Sequence, residues 1–249
     1  MHFDNDLIRR LRDAQRLVFF TGAGISRESG IPTFREGANK IWGDFDPELY
    51  ASQRGFDAHP AKVWQWYSEL RRQNQALQPN AAHHVVAAWQ KKAKSVSVIT
   101  QNIDGFHQRA GSREVIELHG NIGMDKCVRH SHQVMHDFDT KNTEPPQCEH
   151  CNSMLRPDIV WFDENLPMDA FNLAEEQSFN CDVFVCIGCS MKVYPAASMP
   201  VNAARCGAYL VQINPQKTLL DKIANRNLHG NAGEVLPALW YAVWGSEWK

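Results

Sequence analysis

The sequence predicts an α/β fold in which a parallel sheet carries helices on both faces and a small module interrupts the chain. Short apolar runs alternate with amphipathic segments, and the first apolar run leads directly into a Gly-x-Gly turn. A polar stretch from about residue 121 to 165 breaks the alternation. The 249 residues suit one large domain with a small insertion.

The individual elements follow from hydrophobic periodicity. Short runs rich in apolar and β-branched residues predict buried strands at 17–20, 95–100, 115–118, 181–188 and 208–214. Apolar positions at helical spacing predict helices at 5–15, 59–74 and 80–93, and a further helical segment beginning at 215–226. Strands separated by helices are typical of a parallel sheet, because a helix returns the chain to the end where the next strand starts.

Composition excludes several classes of protein. The formal net charge of -2 gives no electrostatic reason to expect nucleic acid or an anionic membrane surface as a partner. No apolar run approaches the roughly 20 residues that cross a bilayer. The N-terminus carries acidic residues and a helical pattern where a signal peptide would need an apolar core. We therefore expect a cytoplasmic protein.

The turn after the first strand indicates a nucleotide site. Gly22 and Gly24 follow the apolar run, and a strand that ends at Gly-x-Gly lets backbone N–H groups approach a pyrophosphate. A tight turn with nothing bound explains these two glycines equally well. The dehydrogenase fingerprint is incomplete, because Arg27 stands at its third glycine and Asp44 and Asp46 lie in a loop-like segment. The pattern favours nucleotide binding without hydride transfer.

Polar side chains follow the other predicted strands. They are Gln101, Asn102, Asp104, His119, Ser190 and Asn214. Ligands of open parallel sheets bind at the carboxyl ends of the strands, so these loops are expected to face one crevice. An Asx turn at 102–104 and a purely structural His119 are the alternatives that the residues alone leave open.

The seven cysteines fall into two groups. Four lie in or beside apolar stretches and are interpreted as buried thiols of a reducing compartment: Cys181, Cys186, Cys189 and Cys206. The other three flank a polar loop that contains prolines, which is typical of a metal site: Cys127, Cys148 and Cys151.

Six motifs in order resemble the sirtuin family of NAD-dependent protein lysine deacylases. They are GAGISRESGIPTFRE, TQNIDGFHQRAG, ELHG, the insertion with paired cysteines, GCSMKVYPAA and VQIN. The resemblance runs from about residue 10 to the GNAGEVLPALW segment. It implies a Rossmann-like NAD-binding domain formed by residues 1–120 and 166–249, with a small zinc-binding module at 121–165. Part of the small domain is expected to come from about 36–75.

The resemblance also implies roles for individual residues. His119 is expected to act as the catalytic base, with Asn102 and Asp104 as the other catalytic residues. Phe34 would shield the reactive sugar carbon from water, and Arg35 would bind a phosphate through its two-pronged guanidinium. The expected NAD-binding set is Gly22, Ala23, Gly24, Ile25, Phe34, Arg35, Gln101, Asn102, Ile103, Asp104, His119, Gly188, Ser190 and Asn214.

The implied reaction uses NAD as a cosubstrate and acylated lysine side chains of proteins as partners. The acyl group passes to ADP-ribose and nicotinamide is released. An ADP-ribosyltransferase or another NAD-cleaving enzyme is the alternative. A non-catalytic NAD sensor is less well supported, because it would not need the base His119 beside Asn102 and Asp104.

A peptide groove is implied at Trp161, Phe162, Asp163 and Glu164. The family usually has Phe-Gly-Glu where this chain has Phe-Asp-Glu. An extended substrate would pair with this stretch by strand addition. Because aspartate tolerates fewer backbone angles than glycine, an altered peptide preference is expected.

The sequence of one predicted helix bears on which acyl group is removed. Members of the family that remove succinyl or malonyl groups carry Tyr-x-x-Arg, whereas this chain has Tyr67 followed by Leu70 and Arg71. Positions i+3 and i+4 share a helix face with i, so Arg71 is predicted to reach the acyl pocket and support some activity on acidic acyl groups. The alternative is a solvated Arg71 and an apolar pocket lined by Leu70.

The metal set departs from the two Cys-x-x-Cys pairs of the family. The second pair is Cys148 and Cys151, but the first reads Cys127-Val-Arg-His130. Three cysteines and one histidine form a common closed zinc site. We therefore predict a structural zinc held by Cys127, His130, Cys148 and Cys151. The alternatives are His132 or His136 as the fourth ligand, or a site without metal.

Overall fold

The computed structural model describes residues 1–31, 46–134 and 143–248. Its helices are α1 (Asn5–Asp13), α2 (Pro47–Tyr50), α3 (Gln53–Ala58), α4 (Pro60–Ala76), α5 (Ala81–Lys92), α6 (Phe106–Arg109), α7 (Met168–Phe179), α8 (Met199–Arg205) and α9 (Ala232–Trp244). Its strands are β1 (Leu17–Thr21), β2 (Val96–Thr100), β3 (Val115–Glu117), β4 (Gly120–Cys127), β5 (Gln133–Val134), β6 (Leu155–Ile159), β7 (Val183–Ile187), β8 (Tyr209–Ile213) and β9 (Arg226–Leu228).

The larger sheet has the strand order β3-β2-β1-β7-β8-β9, and its neighbouring strands pair in parallel. Phe19 in β1 lies opposite Val98 in β2 and Val185 in β7. Every residue of β1, β7 and β8 is buried, because helices cover both faces of the sheet centre. The predicted parallel sheet with helices on both faces is confirmed.

Each face of this sheet has its own apolar cluster. On one face Phe19 packs with residues of α1, α5 and α9, including Leu11, Trp89 and Leu239. On the other face Phe20 packs with Phe184 and with residues of α7 and α8. Burying a side chain of this size stabilises the fold by about 1.5–3 kcal/mol. These clusters hold the carboxyl ends of the strands in a fixed arrangement.

The smaller sheet is antiparallel, with the strand order β5-β4-β6. Phe56 of α3 and Tyr67 of α4 pack against Ile122 of β4 and Trp161 just after β6. These contacts support the proposal that residues 46–75 belong to the same unit as the 121–165 module; residues 36–45 lie outside the described part. The division between this unit and residues 1–120 and 166–249 remains a proposal.

The segment 215–226 differs from its prediction. It contains a short 3-10 turn, Leu219–Lys222, and then enters β9, which pairs with β8. The side chains of Thr218 and Asp221 cap this turn at its start, and Asn225 accepts a hydrogen bond from the backbone N–H of Leu210 at 2.8 Å. Pairing at the sheet edge therefore outweighs the helical periodicity of the segment.

In the described part of the chain, none of the helices has the length and apolar character needed to cross a membrane.

Candidate active site

The loops after β1 and β7 pack backbone against backbone. A Cβ on Gly22 would lie 2.9 Å from the carbonyl oxygen of Gly188, and one on Gly24 would lie 2.6 Å from the Gly188 Cα. Gly188 itself has a φ of 63°, in the left-handed region that favours glycine. The three glycines are therefore required by the approach of these two loops, before any ligand is considered.

Backbone hydrogen bonds fix the same contact. The N–H of Gly22 donates to Ile187 and the N–H of Gly24 donates to Gly188, both at 3.0 Å. Ile25 is fully buried, and its N–H donates to the Gly22 carbonyl at 3.1 Å. Within the predicted pyrophosphate-binding turn, Gly22 is buried, whereas Ala23 and Gly24 are partly exposed. The Gly-x-Gly sequence is thus required for the packing of the two loops, and it also forms a candidate nucleotide-binding turn.

A serine connects this turn to the loop after β2. Ser26 is fully buried, and its hydroxyl donates to Asp104 Oδ2 at 2.6 Å. The Asn102 amide donates to the Gly22 carbonyl at 3.1 Å and to Ser26 Oγ at 3.3 Å. The other Asp104 oxygen accepts from the Phe106 N–H at 2.9 Å. Burial raises the pKa of Asp104, while its hydrogen bonds with Ser26 and Phe106 oppose that shift.

Two buried histidines lie behind this layer. His83 Nε2 is 3.3 Å from Ser26 Oγ, and His107 Nε2 is 2.9 Å from Thr21 Oγ1, which donates to Thr100 Oγ1 at 2.8 Å. Burial lowers the pKa of His83 to about 2 and that of His107 to about 4. Both rings are therefore neutral at physiological pH. Neither Ser26 nor these histidines was singled out from the sequence.

His119 follows β3 and has a defined proton arrangement. Its Nδ1 lies 2.7 Å from the Gln101 carbonyl oxygen, which can only accept, so Nδ1 carries the hydrogen. The lone pair is left on Nε2. Burial lowers the pKa of His119, and the contact with Gln101 partly opposes the shift. A half-buried, neutral imidazole whose Nε2 has no hydrogen-bond partner in the described part of the chain can act as a general base at neutral pH.

The remaining loops complete the crevice. The Asn214 amide after β8 donates to the Cys189 carbonyl at 2.9 Å, and Gln101 Nε2 lies 3.5 Å from Cys189 Sγ. Ser190 is partly exposed beside them. Ile103 accepts a backbone hydrogen bond from Ile122, which links the crevice to the smaller sheet. The predicted residues Phe34 and Arg35 lie outside the described residues.

The predicted peptide segment is fixed from within the protein. Glu164 accepts hydrogen bonds from the Trp161 N–H at 2.9 Å and from the guanidinium of Arg156, whose Cζ lies 3.3 Å from the centre of the Trp161 ring. Phe162 is 64% exposed, and Asp163 beside it is also exposed. Glu164 therefore shapes the turn, whereas Phe162 and Asp163 are available to a ligand.

The position of Arg71 corrects its predicted role. The side chain is 2% exposed, and its guanidinium donates to Asp125 Oδ1 at 2.5 Å and to the Ile122 carbonyl at 2.7 Å. Its charge is compensated by Asp125, and the buried guanidinium is turned towards β4. Tyr67 is also buried and accepts a hydrogen bond from Trp161 Nε1 at 3.0 Å.

Three cysteines form a candidate metal centre. The sulfur atoms of Cys127, Cys148 and Cys151 all lie within 4.8 Å of one another, and those of Cys127 and Cys151 are 3.6 Å apart. Zinc–sulfur bonds of about 2.3 Å at tetrahedral angles place two sulfur atoms about 3.8 Å apart. The cluster therefore fits zinc. His130 is exposed and is not a member of this group within the described residues, and His136 lies outside them.

Comparison with known proteins decides the family. The Sir2 family model matches residues 22–195, which include the glycine turn, Asn102, His119 and the cysteine cluster. The chain belongs to the Sir2 family.

Its relatives in this family are similar over nearly their whole length. An NAD-dependent protein deacylase of Methylococcus capsulatus is 41% identical over 98% of this chain and 98% of its own. One of Ralstonia nicotianae is 44% identical over 91% of each chain.

Solved Sir2 structures share the fold as well. A complex of a Sir2 homologue with NAD has a TM-score of 0.91 at 39% identity, covering 97% of this chain and 94% of the other. A Sir2–p53 peptide–NAD⁺ complex has a TM-score of 0.85 at 34% identity, covering 98% and 100%.

Proposed function

We propose that this Sir2-family protein is an NAD-dependent protein lysine deacylase, which transfers the acyl group of a modified lysine to ADP-ribose and releases nicotinamide. The observation that carries the proposal is the arrangement of His119: its Nδ1–H is held by the Gln101 carbonyl, and Nε2, which keeps the lone pair, has no hydrogen-bond partner among the described residues. The names of the relatives, NAD-dependent protein deacylases, point to the same activity.

The residues of the crevice can be assigned to the separate parts of NAD. We assign the NAD pyrophosphate to the turn at Gly22, Ala23 and Gly24 and the adenosine side to Ser190 and Asn214. We assign the nicotinamide ribose to Gln101, Asn102, Ile103 and Asp104. In support, Asn102 and Asp104 are held in one hydrogen-bonded layer through Ser26. Their fixed positions lower the cost of orienting the sugar for attack.

His119 performs the proton transfer in this scheme. As the glycosidic bond to nicotinamide breaks, the acyl carbonyl oxygen bonds to the ribose carbon, and a ribose hydroxyl then attacks the resulting imidate. His119 Nε2 accepts the proton of that hydroxyl. The adduct then expels the lysine amine, which takes up a proton, and one water molecule adds to the former carbonyl carbon. The products are lysine, nicotinamide and O-acyl-ADP-ribose. Acylated lysines of proteins are the proposed partners, without nucleic acid or membrane, and the cytoplasm is the proposed location.

One experiment separates this function from its alternatives. The protein is incubated with NAD and an acetyl-lysine peptide, and the peptide is weighed by mass spectrometry. Loss of the acyl mass supports the deacylase. A gain of one ADP-ribose would indicate an ADP-ribosyltransferase, and NAD consumption with an unchanged peptide would indicate an NAD-cleaving enzyme.

The acyl group removed fastest is expected to be uncharged. We assign the acyl pocket to the side of α4, where the charge of Arg71 is paired with buried Asp125 and Tyr67 is hydrogen-bonded to Trp161. An acidic acyl group would find the charge of Arg71 already paired with Asp125, so this arginine would offset little of the cost of its desolvation. Acetyl-lysine and succinyl-lysine forms of one peptide should give a higher kcat/KM for acetyl. Equal or faster succinyl removal would contradict this expectation.

Activity should persist below the ordinary pKa of histidine. His119 must be neutral to accept a proton, and burial lowers its pKa from 6.5. Protonation therefore begins at a lower pH than for an exposed histidine. A profile of kcat/KM for the peptide from pH 5 to 8 should show a fall towards acid whose midpoint lies below pH 6.5. A fall centred above 6.5 would show that burial does not control this group.

A further inference from the structure

A tetrahedral zinc site at the cysteine cluster needs a fourth ligand. The sequence spacing favours His130, but the side-chain contacts in the structure favour a different histidine. We infer that His132 completes the zinc site with Cys127, Cys148 and Cys151. His132 Nε2 lies 3.5 Å from Cys148 Sγ. A zinc ion with bonds of about 2.3 Å to sulfur and 2.0–2.1 Å to nitrogen at tetrahedral angles places those two atoms about 3.5 Å apart.

The backbone brings His132 to the cluster. The Cys127 N–H donates to the His132 carbonyl at 3.1 Å, and the Ser131 N–H donates back to the Cys127 carbonyl at 2.8 Å. Ser131 has a φ of 55°, so the chain reverses sharply before His132. His132 therefore follows this turn beside Cys127, directly before β5 begins at Gln133.

The second cysteine pair forms a matching turn. The Cys148 N–H donates to the Ser153 carbonyl at 2.7 Å, the Asn152 N–H donates to the Cys148 carbonyl at 2.8 Å, and Asn152 has a φ of 57°. By spacing within these turns, His130 corresponds to Cys151 and His132 corresponds to Ser153. Spacing alone thus selects His130, which explains the sequence-based expectation.

The positions of the two histidine side chains favour His132 over His130. His130 is exposed, and in the described part of the chain no hydrogen bond joins it to a cysteine. His132 is half-buried, and its ring centre lies 6.3 Å from that of His130 and 5.3 Å from that of His150. His132 thus contacts the cluster through Cys148 and lies near both exposed histidines.

The three cysteine sulfur atoms already lie close together, and the imidazole of His132 approaches them from the side of Cys148. Because His132 is not within 4.8 Å of all three sulfur atoms, its ring must turn further toward Cys127 and Cys151 to complete a tetrahedron. The apolar residues packed around the thiols are few, chiefly Leu155 and Val134. So small a core gives little stability of its own, and a bound metal would contribute folding free energy there.

The test compares His132→Ala with the matched control His130→Ala, both purified without chelator. Wild type and H130A should contain about one zinc per chain, and H132A should lose zinc to a chelator at least about tenfold more readily, since even indirect support of a ligand is worth about 10- to 100-fold in affinity. Cobalt(II) added to each metal-free protein reports the ligands, because thiolate charge-transfer absorption grows with the number of thiolates.

His132→Cys provides a conservative variant. It should retain the metal and raise cobalt–thiolate absorption by about a third, as three thiolates become four. The same variant keeps the test decisive if H132A fails to fold. Loss of zinc from H130A alone, equal retention by both alanine variants, an unchanged cobalt spectrum in H132C, or a folded wild type that binds neither metal would each overturn the assignment.

Discussion

Replacing His119 with alanine is expected to abolish removal of the acyl group while leaving NAD binding nearly unchanged. The methyl group has no lone pair to accept the ribose proton, and loss of a general base typically costs about 10²- to 10⁴-fold in rate. The glycine turn and the Asn102–Ser26–Asp104 layer do not depend on the imidazole. Turnover is measured by peptide mass and NAD binding by calorimetry.

The control is His59→Ala, which removes an exposed imidazole at the start of α4 that makes no capping hydrogen bond. It should keep wild-type turnover. Near-normal turnover by H119A would remove His119 from the mechanism, and loss of NAD binding in that variant would point to a structural role instead.

Replacing Asp125 with alanine is expected to lower the free energy of unfolding by about 3–5 kcal/mol, because it leaves the charge of Arg71 buried without its compensating carboxylate. Asp125 is 0% exposed and Arg71 2% exposed. Burial lowers the pKa of Arg71, while Asp125 opposes that shift. Urea denaturation followed by tryptophan fluorescence measures the change, since Trp161 lies in the same unit.

Two further variants sharpen the result. Glu69→Ala breaks an ion pair on the solvent side of α4, where Arg72 is 62% exposed, and should change the free energy of unfolding by about 1 kcal/mol or less. Replacing both charges, with Arg71→Met and Asp125→Leu together, should recover most of the stability. A cost for D125A no larger than that for E69A would show that the buried pair does not stabilise the fold.

The parallel strands were predictable because they are buried on both faces and read as continuous apolar runs. Helix α9 was not assigned, because its sequence AGEVLPALWYAVW has few polar positions to define a face and contains Pro237. Strand β9 has only three residues, all partly exposed, and owes its conformation to pairing with β8. Elements that depend on a neighbour in this way cannot be read from local periodicity.

The site shows the same limit. Polar residues at strand ends, such as Asn102 and His119, stand out in the sequence because they interrupt apolar runs. The contact between Ser26 and Asp104 joins residues 78 positions apart, and that between Arg71 and Asp125 joins residues 54 positions apart. Helix geometry correctly put Arg71 near the face of Tyr67, but only the folded chain shows which carboxylate it meets.

The contacts between α4 and the smaller sheet also determine when this helix can pack during synthesis of the chain. Tyr67 and Trp161 are separated by 94 residues, and Gln53 is separated from Arg156 by 103. At about 5–20 residues per second, a ribosome takes roughly 5–20 seconds to produce the stretch between Tyr67 and Trp161. During that interval the apolar side of α4 has no sheet to pack against. The nascent chain is therefore exposed to aggregation, and open to chaperone binding, at this helix until residue 161 has emerged.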